Sequence, residues 1–358
     1  MSALGFASQA LEIVAALAAA PLLLGWVGQC RAWLQNRTAP GLLQPYRVLH
    51  KLFNKDSVLA ANASPLFRTA PYVIFGCMTL ACGIVPTLST DLPLSPAADA
   101  IALVGLFALA RVFAALAAMD VGTPFGSLGA RREMLVGFLA DPALPLVFFT
   151  AALISDSTSL TSIVRTLSAQ EIGIRPSLAL AAVALIMVAL AENARVPVDN
   201  PATHLELTMV HEALILEYSG RHLALLEWAA ALKLFAYACI GMALFAPWGV
   251  AHAQAPAALL TAAPVLVAKL AAAGFLLALL ETLSAKMRIF RVPEFLASAF
   301  LLASSWMTSW IGRRCCPCST TMRMPPVRFR SSAQRVSPWY ACRPWATSST
   351  MRVQARSR

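Results

Sequence analysis

Charge is what this sequence has least of. Only 13% of its 358 residues are Asp, Glu, Lys or Arg, against 59% hydrophobic residues, and the mean hydropathy is +0.69. A soluble chain of this length carries about 25% charge and shows strand and turn punctuation. Neither is present, which excludes a soluble enzyme and points to a membrane protein. The first residues lack the basic start and small-residue cleavage site of a secretory signal, so the first apolar run is read as a retained helix. Acids and lysines are missing altogether from Gly312 onward, where ten arginines stand. Residues 1–311 therefore hold eighteen bases against all seventeen acids. The body is close to neutral, and the excess of +11 gives no ground for a nucleic-acid partner.

Metal and disulfide patterns are lacking too. Cys30, Cys77, Cys82 and Cys239 sit in or beside apolar runs, and Cys315, Cys316, Cys318 and Cys342 lie in the basic tail without paired C-x2-C spacing. His211-Glu212 opens an H-E-x-x-H, but Ile215 occupies the fifth position, so the zinc-protease spacing fails. His204 and His211 are seven residues apart and carry no further ligand signal. No metal site and no catalytic centre is expected.

What is present is apolar length. A hydrocarbon core about 30 Å thick needs about 20 residues of helix, and candidate runs occur near 6–27, 66–88, 98–119, 134–155, 177–193, 225–247, 257–283 and 294–311. The expected fold is all-α, a polytopic membrane helix bundle of about eight transmembrane helices over residues 1–311, followed by a basic tail over 312–358. Connections 1–2, 3–4, 5–6 and 7–8 hold twelve Lys or Arg, against Arg165 and Arg175 in the others. The positive-inside bias then puts the N-terminus in the periplasm of a bacterial inner membrane. Within the first connection, residues 41–53 place Leu42, Leu49, Leu52 and Phe53 broadly on one side, an interfacial cytoplasmic amphipathic helix.

Ionisable residues inside a span are costly unless paired or wetted, and each is a candidate site. Arg111, Lys233, Lys269 and Glu281 lie deep in runs, with Asp141 early in the fourth and Glu192 closing the fifth. Arg111 requires an internal partner. Lys233 and Lys269 are open to three readings: an interhelical ion pair, a side chain reaching the interface, or a functional charge. Glu227 and Lys286 are near helix ends and can reach water. The densest acid cluster is the fifth connection, with Glu192, Asp199, Glu206, Glu212 and Glu217. Carboxylates gathered beside a membrane raise one another's proton affinity, which suits a proton relay; a solvated acidic loop has the same composition.

Residues 192–199 read Glu-Asn-Ala-Arg-Val-Pro-Val-Asp and resemble the E-x-x-R-x-P-(F/V)-D element of the complex I subunit 1 family. The continuation, Asn200-Pro201-Ala202-Thr203-His204-Leu205-Glu206-Leu207-Thr208-Met209-Val210-His211-Glu212, departs from complex I, where further acids stand at Ala202 and His204. It is similar instead to the branch of group 4 membrane-bound NiFe hydrogenases that includes hydrogenase-4 component C and formate hydrogenlyase subunit 4. The run to Glu217-Tyr218-Ser219-Gly220 is also longer than in complex I, and Gly122–Met134 and Glu281–Phe295 agree with the resemblance. The resemblance covers about Trp26 to Phe300. It implies that Arg132 and Asp141 match an arginine and a glutamate of a proton path, with Asp141 one methylene shorter than the usual glutamate. It further implies a proton-coupling set of Arg132, Asp141, Glu192, Arg195, Asp199, Glu206, Glu212 and Glu217.

As a whole the resemblance implies a membrane-anchor subunit of a respiratory oxidoreductase complex. Its partners would be peripheral NiFe-hydrogenase-like and Fe–S subunits, antiporter-like membrane subunits and the lipid bilayer. The NiFe and Fe–S centres would belong to those partners, with no cofactor held by this chain; quinone is used in complex I and not expected in the hydrogenase branch. A complex I subunit 1 role or a secondary transporter built on Lys233, Lys269 and Glu281 are the alternatives. The tail, rich in Arg, Ser, Pro, Cys and Trp, reads as a GC-rich gene translated out of frame.

Overall fold

A computed structural model describes residues 3–60, 62–87, 99–169, 176–199, 210–250, 256–285, 287 and 291–314, of which 3–7, 176–177, 256–260 and 305–314 are described in backbone only. The described chain is helical: α1 (Ala3–Leu34), α2 (Gln44–Phe53), α3 (Pro65–Ile84), α4 (Ala100–Asp120), α5 (Pro124–Ser155), α6 (Leu160–Ala169), α7 (Pro176–Glu192), α8 (His211–Ile215), α9 (Gly220–Phe245), α10 (Pro256–Leu283) and α11 (Val292–Arg314). Among the described residues there is no strand, only an isolated bridge between Asp99 and Ser159. The eight long helices coincide with the eight apolar runs. Six have described parts both long and apolar enough to cross a membrane; Leu178–Glu192 and Val292–Ser304 are shorter apolar helices. The chain is a multi-pass membrane protein.

Local chemistry sets the helix starts. Ser64 and Thr123 accept hydrogen bonds from the Leu66 and Gly126 N–H groups, at 3.1 and 3.3 Å, ahead of Pro65 and Pro124. A capping hydroxyl followed by proline suits a first turn, where the missing N–H would be unpaired anyway. The Thr123-Pro124 start makes α5 32 residues long, about 48 Å at 1.5 Å per residue. Arg131, Arg132 and Glu133 are therefore helical, where the sequence reading has a connection. The short amphipathic α6 is likewise unanticipated.

Helices pack through small residues, as expected where hydrophobicity cannot hold helices together in lipid. Ala70, Ala81, Ala110, Ala140, Ala143 and Ala184 are all essentially buried. α3 packs on α4 and α9, α5 on α4, α7 and α11, and α1 on α3, α9 and α10. The α1 contacts are fixed by indole N–H groups, Trp26 to the Ala271 carbonyl at 3.0 Å and Trp228 to the Leu17 carbonyl at 3.1 Å. The amphipathic α2 lies against α1 and α9: Tyr46 donates to the Ala18 carbonyl, Leu49 is buried, and Phe53 meets Trp228 edge-on.

Residues 1–315 form one compact unit. α11 runs past the expected start of the tail at 312, and residues 315–358, including the four tail cysteines, lie outside the described residues.

Candidate functional site

Arg111 answers the question its sequence position raises. It is 7% exposed on α4, and its guanidinium meets three carboxylates from two other helices: Glu192 at the end of α7, Asp141 at 2.5 Å and Glu133 at 3.8 Å on α5. Lys233 of α9 reaches the other oxygen of Glu192 at 2.9 Å. Room for the guanidinium comes from Gly137: a Cβ there would lie 2.5 Å from Arg111 Nη1. Beside this cluster Tyr237, one turn beyond Lys233, is buried and stacks on Phe107 at 5.0 Å, its hydroxyl without a hydrogen-bond partner among the described residues.

Four helices thus bring two cations and three carboxylates together inside the bundle. Asp141, Glu192 and Lys233, expected as relay or intramembrane residues, join Arg111, and Glu133 joins them because α5 extends into what the apolar runs alone mark as a connection. The signal was available in the Thr123-Pro124 helix start.

A second group forms where α1, the segment after α7, and α10 end. Arg195 Nη1 lies 3.1 Å from Glu281, and Arg31 Nη1 lies 3.6 Å from its other oxygen. Glu281 is therefore an ion-pair partner at the end of the bundle. Asp199 is 4% exposed, and its Oδ2 accepts from the Val210 and His211 N–H groups at 3.1 and 3.4 Å, where α8 begins.

Both groups border one cavity of about 310 Å³, lined among others by Arg31, Glu192, Arg195, Asp199, Glu212 and Lys233. A smaller one of about 60 Å³ touches Arg111, Glu133 and again Lys233. Lys233 is thus a common wall between the rim and the inner cluster. Glu227 also lines the larger cavity.

The remaining candidates lie elsewhere. Arg132 is half-buried on α5 and is not among the partners of Arg111. Glu217 precedes a pinned turn: Tyr218 stacks on Phe67 at 4.0 Å and donates to its carbonyl at 3.0 Å, and Ser219 bonds both the N–H and the carbonyl of Val58 at 2.8 Å. Burial, with the Asp120 charge adding to it, pushes the Tyr218 phenol well above its ordinary pKa. Glu206 and His204 lie outside the described residues, as does Lys286. Lys269 is far along the bundle, donating to the Ala246 carbonyl at 2.7 Å and to that of Trp248, with its ammonium 4.3 Å from the Trp248 ring centre. Lys233 pairs with Glu192, Glu281 with Arg31 and Arg195, and Lys269 with the carbonyls of Ala246 and Trp248.

One buried acid was overlooked although its position in the first apolar run announced it. Glu12 is 3% exposed on α1 and accepts from the Thr87 N–H at 2.8 Å and from its hydroxyl. Among the described residues no group of three His, Cys, Asp or Glu side chains is arranged to hold a metal, and Cys30, Cys77, Cys82 and Cys239 are buried free thiols.

Comparison with known proteins supplies the family. Residues 8–311 match the NADH dehydrogenase family, a longer stretch at both ends than the motifs alone delimit. Formate hydrogenlyase subunit 4 of Escherichia coli K12 is 32% identical over 290 residues, covering 81% of this chain and 94% of that protein. Hydrogenase-4 component C of the same organism is 33% identical over 302 residues, covering 84% and 94%. A solved structure of the membrane-bound sulfane sulfur reductase, an archaeal respiratory membrane complex, has a chain of the same fold, with a TM-score of 0.71 at 21% identity over 85% of this chain and 98% of that one. The chain belongs to the NADH dehydrogenase family of complex I subunit 1-like membrane proteins.

Proposed function

We propose that this chain is the membrane-anchor and proton-coupling subunit of a hydrogenase or formate hydrogenlyase-type complex, with the inner cluster as its proton-holding element. The observation that carries the reading is stoichiometric. Arg111 and Lys233 face Glu133, Asp141 and Glu192, so the fully ionised group has one negative charge in excess. The membrane interior penalises net charge, and the surplus carboxylate gives one proton a place to sit. Movement of charge at the rim cavity is felt there through Lys233, which borders both spaces.

The same geometry and the relatives support a reading of the partner types. The rim bearing Arg31, Arg195, Asp199 and Glu212 would face the peripheral electron-transfer arm, whose subunits would hold the NiFe and Fe–S centres. Asp141 is 41% exposed in mid-span, an unfavourable position against lipid, and an antiporter-like membrane subunit covering that face of α5 would remove the penalty. Arg31 near the end of α1, Arg195 after α7 and Glu281 near the end of α10 gather at one end of the bundle, which supports placing the connections that follow these helices together on the cytoplasmic side of the inner membrane and the N-terminus in the periplasm.

The test is Glu192→Gln in the assembled complex. It leaves two cations facing two carboxylates, a neutral group with no surplus site. Proton movement per electron should fall while assembly persists, and Asp199→Asn at the rim, like Glu206→Gln in the same acidic stretch of sequence, should lower it less. Unchanged proton movement in all three variants would leave the chain an anchor alone.

A further inference from the structure

His211, whose H-E pair stops short of a zinc-protease motif, stands on the boundary between two cavities. It lines both the rim cavity of about 310 Å³ and the smaller one of about 60 Å³ that touches Arg111 and Glu133. Of the described residues that border both spaces, His211, Ile215, Leu226, Ala230 and Lys233, only the histidine and the lysine titrate. The Lys233 ammonium is taken by Glu192 at 2.9 Å. The imidazole of His211 has no hydrogen-bond or ion-pair partner among the described residues, and its backbone is held at the start of α8 by Asp199. Close packing of α8 on α5 sets its position: a Cβ at Gly129 would lie 2.8 Å from the Ala213 Cβ, and Glu133 follows Gly129 by one turn on the same face of α5.

Glu227 of α9 stands on a second boundary. It lines the rim cavity and a further one of about 230 Å³ between α1, α2 and α9, walled by Pro21, Gln44, Val48 and Leu49. Gln44 and Val48 are exposed, so this space opens beside α2. Across the rim cavity Glu227 faces the charges of His211 and Glu212 on α8. Each cavity exceeds the roughly 10–15 Å³ that a water molecule needs. A neutral imidazole can accept a proton on one nitrogen and release one from the other. We propose that His211 is the proton shuttle that loads the inner cluster, supplied from the α2 side by way of Glu227. One ring nitrogen takes a proton from water in the rim cavity, and the other gives one up toward Glu133. The ring ends neutral, and the three-carboxylate group gains the proton that cancels its surplus charge. The inference rests on the proton-holding role proposed above for that group.

The experiment measures initial rates of proton movement in sealed membrane vesicles carrying the assembled complex. His211→Gln should slow them about 100-fold, the low end of what a positioned proton-transfer group supplies, with assembly kept. His211→Gly should be as slow. Added imidazole should restore it, whereas pyrrole, of the same shape but without a basic nitrogen, should not; a merely structural histidine would not separate the two. His211→Ala replaces His211→Gly if the latter does not assemble. Glu227→Gln should also slow proton movement, and Glu227→Asp, which keeps the carboxylate, should recover most of it. Glu192→Gln tells the two readings apart. If it leaves proton movement unchanged, the holding role fails and the shuttle with it. If it lowers proton movement while His211→Gln runs at the wild-type rate, or while imidazole does nothing for His211→Gly, the shuttle alone is overturned.

Discussion

The two ends of the bundle treat buried charge differently. Around Arg111, charges meet charges: five ionisable side chains from four helices pair with one another. Toward the other end, Glu12 and Lys269 are each met by uncharged dipoles, the Thr87 N–H and hydroxyl for one and the carbonyls of Ala246 and Trp248 for the other. A charge answered by a fixed dipole ties one segment of the bundle to another. Charges that answer one another form a coupled group, in which a proton gained by one member is felt by all. The difference separates the part of the molecule suited to coupling from the part suited to tethering.

That distinction can be broken in four places. Arg111→Met should have the largest effect, because it strands three carboxylates: a loss of about 3–5 kcal/mol is typical of removing one partner from a buried ion group, read as poor membrane accumulation and a lowered melting temperature. Gly137→Ala should follow, at about 1–3 kcal/mol, the range for overpacking a tight site. The added methyl displaces the guanidinium, so proton movement should fall along with stability. Lys269→Met should cost about 1 kcal/mol, the scale of a cation over an aromatic ring with its hydrogen bonds, and should leave proton movement per electron unaltered. Glu12→Gln should be smallest, within about 0.5 kcal/mol, since an amide oxygen still accepts from Thr87. A loss of coupling in either of the last two would erase the contrast.

The spans were legible because an apolar run of membrane length has few other uses. Arg111, Lys233 and Glu281 were legible for the complementary reason, that charge in such a run demands an explanation. Their partners were not, since α4, α5, α7 and α9 are brought together by packing that no local pattern encodes. Glu192 and Asp199 belong to one motif, yet one is shared by Arg111 and Lys233 while the other accepts from backbone at the start of α8. Spacing within a motif does not say which acid turns inward. Glu133 was lost to a boundary error, and α6, rich in Ser and Thr, lacks the apolar length that announced the others.

The turn between α8 and α9 has a mechanical consequence. Gly220 adopts φ +54°, and a Cβ there would come within 2.8 Å of the Asp56 carbonyl oxygen; Tyr218 and Ser219 are tied to Phe67 and Val58 on either side. These ties fix the point at which α9 begins, and with it the height along the bundle at which α9 presents the ammonium of Lys233 to Glu192.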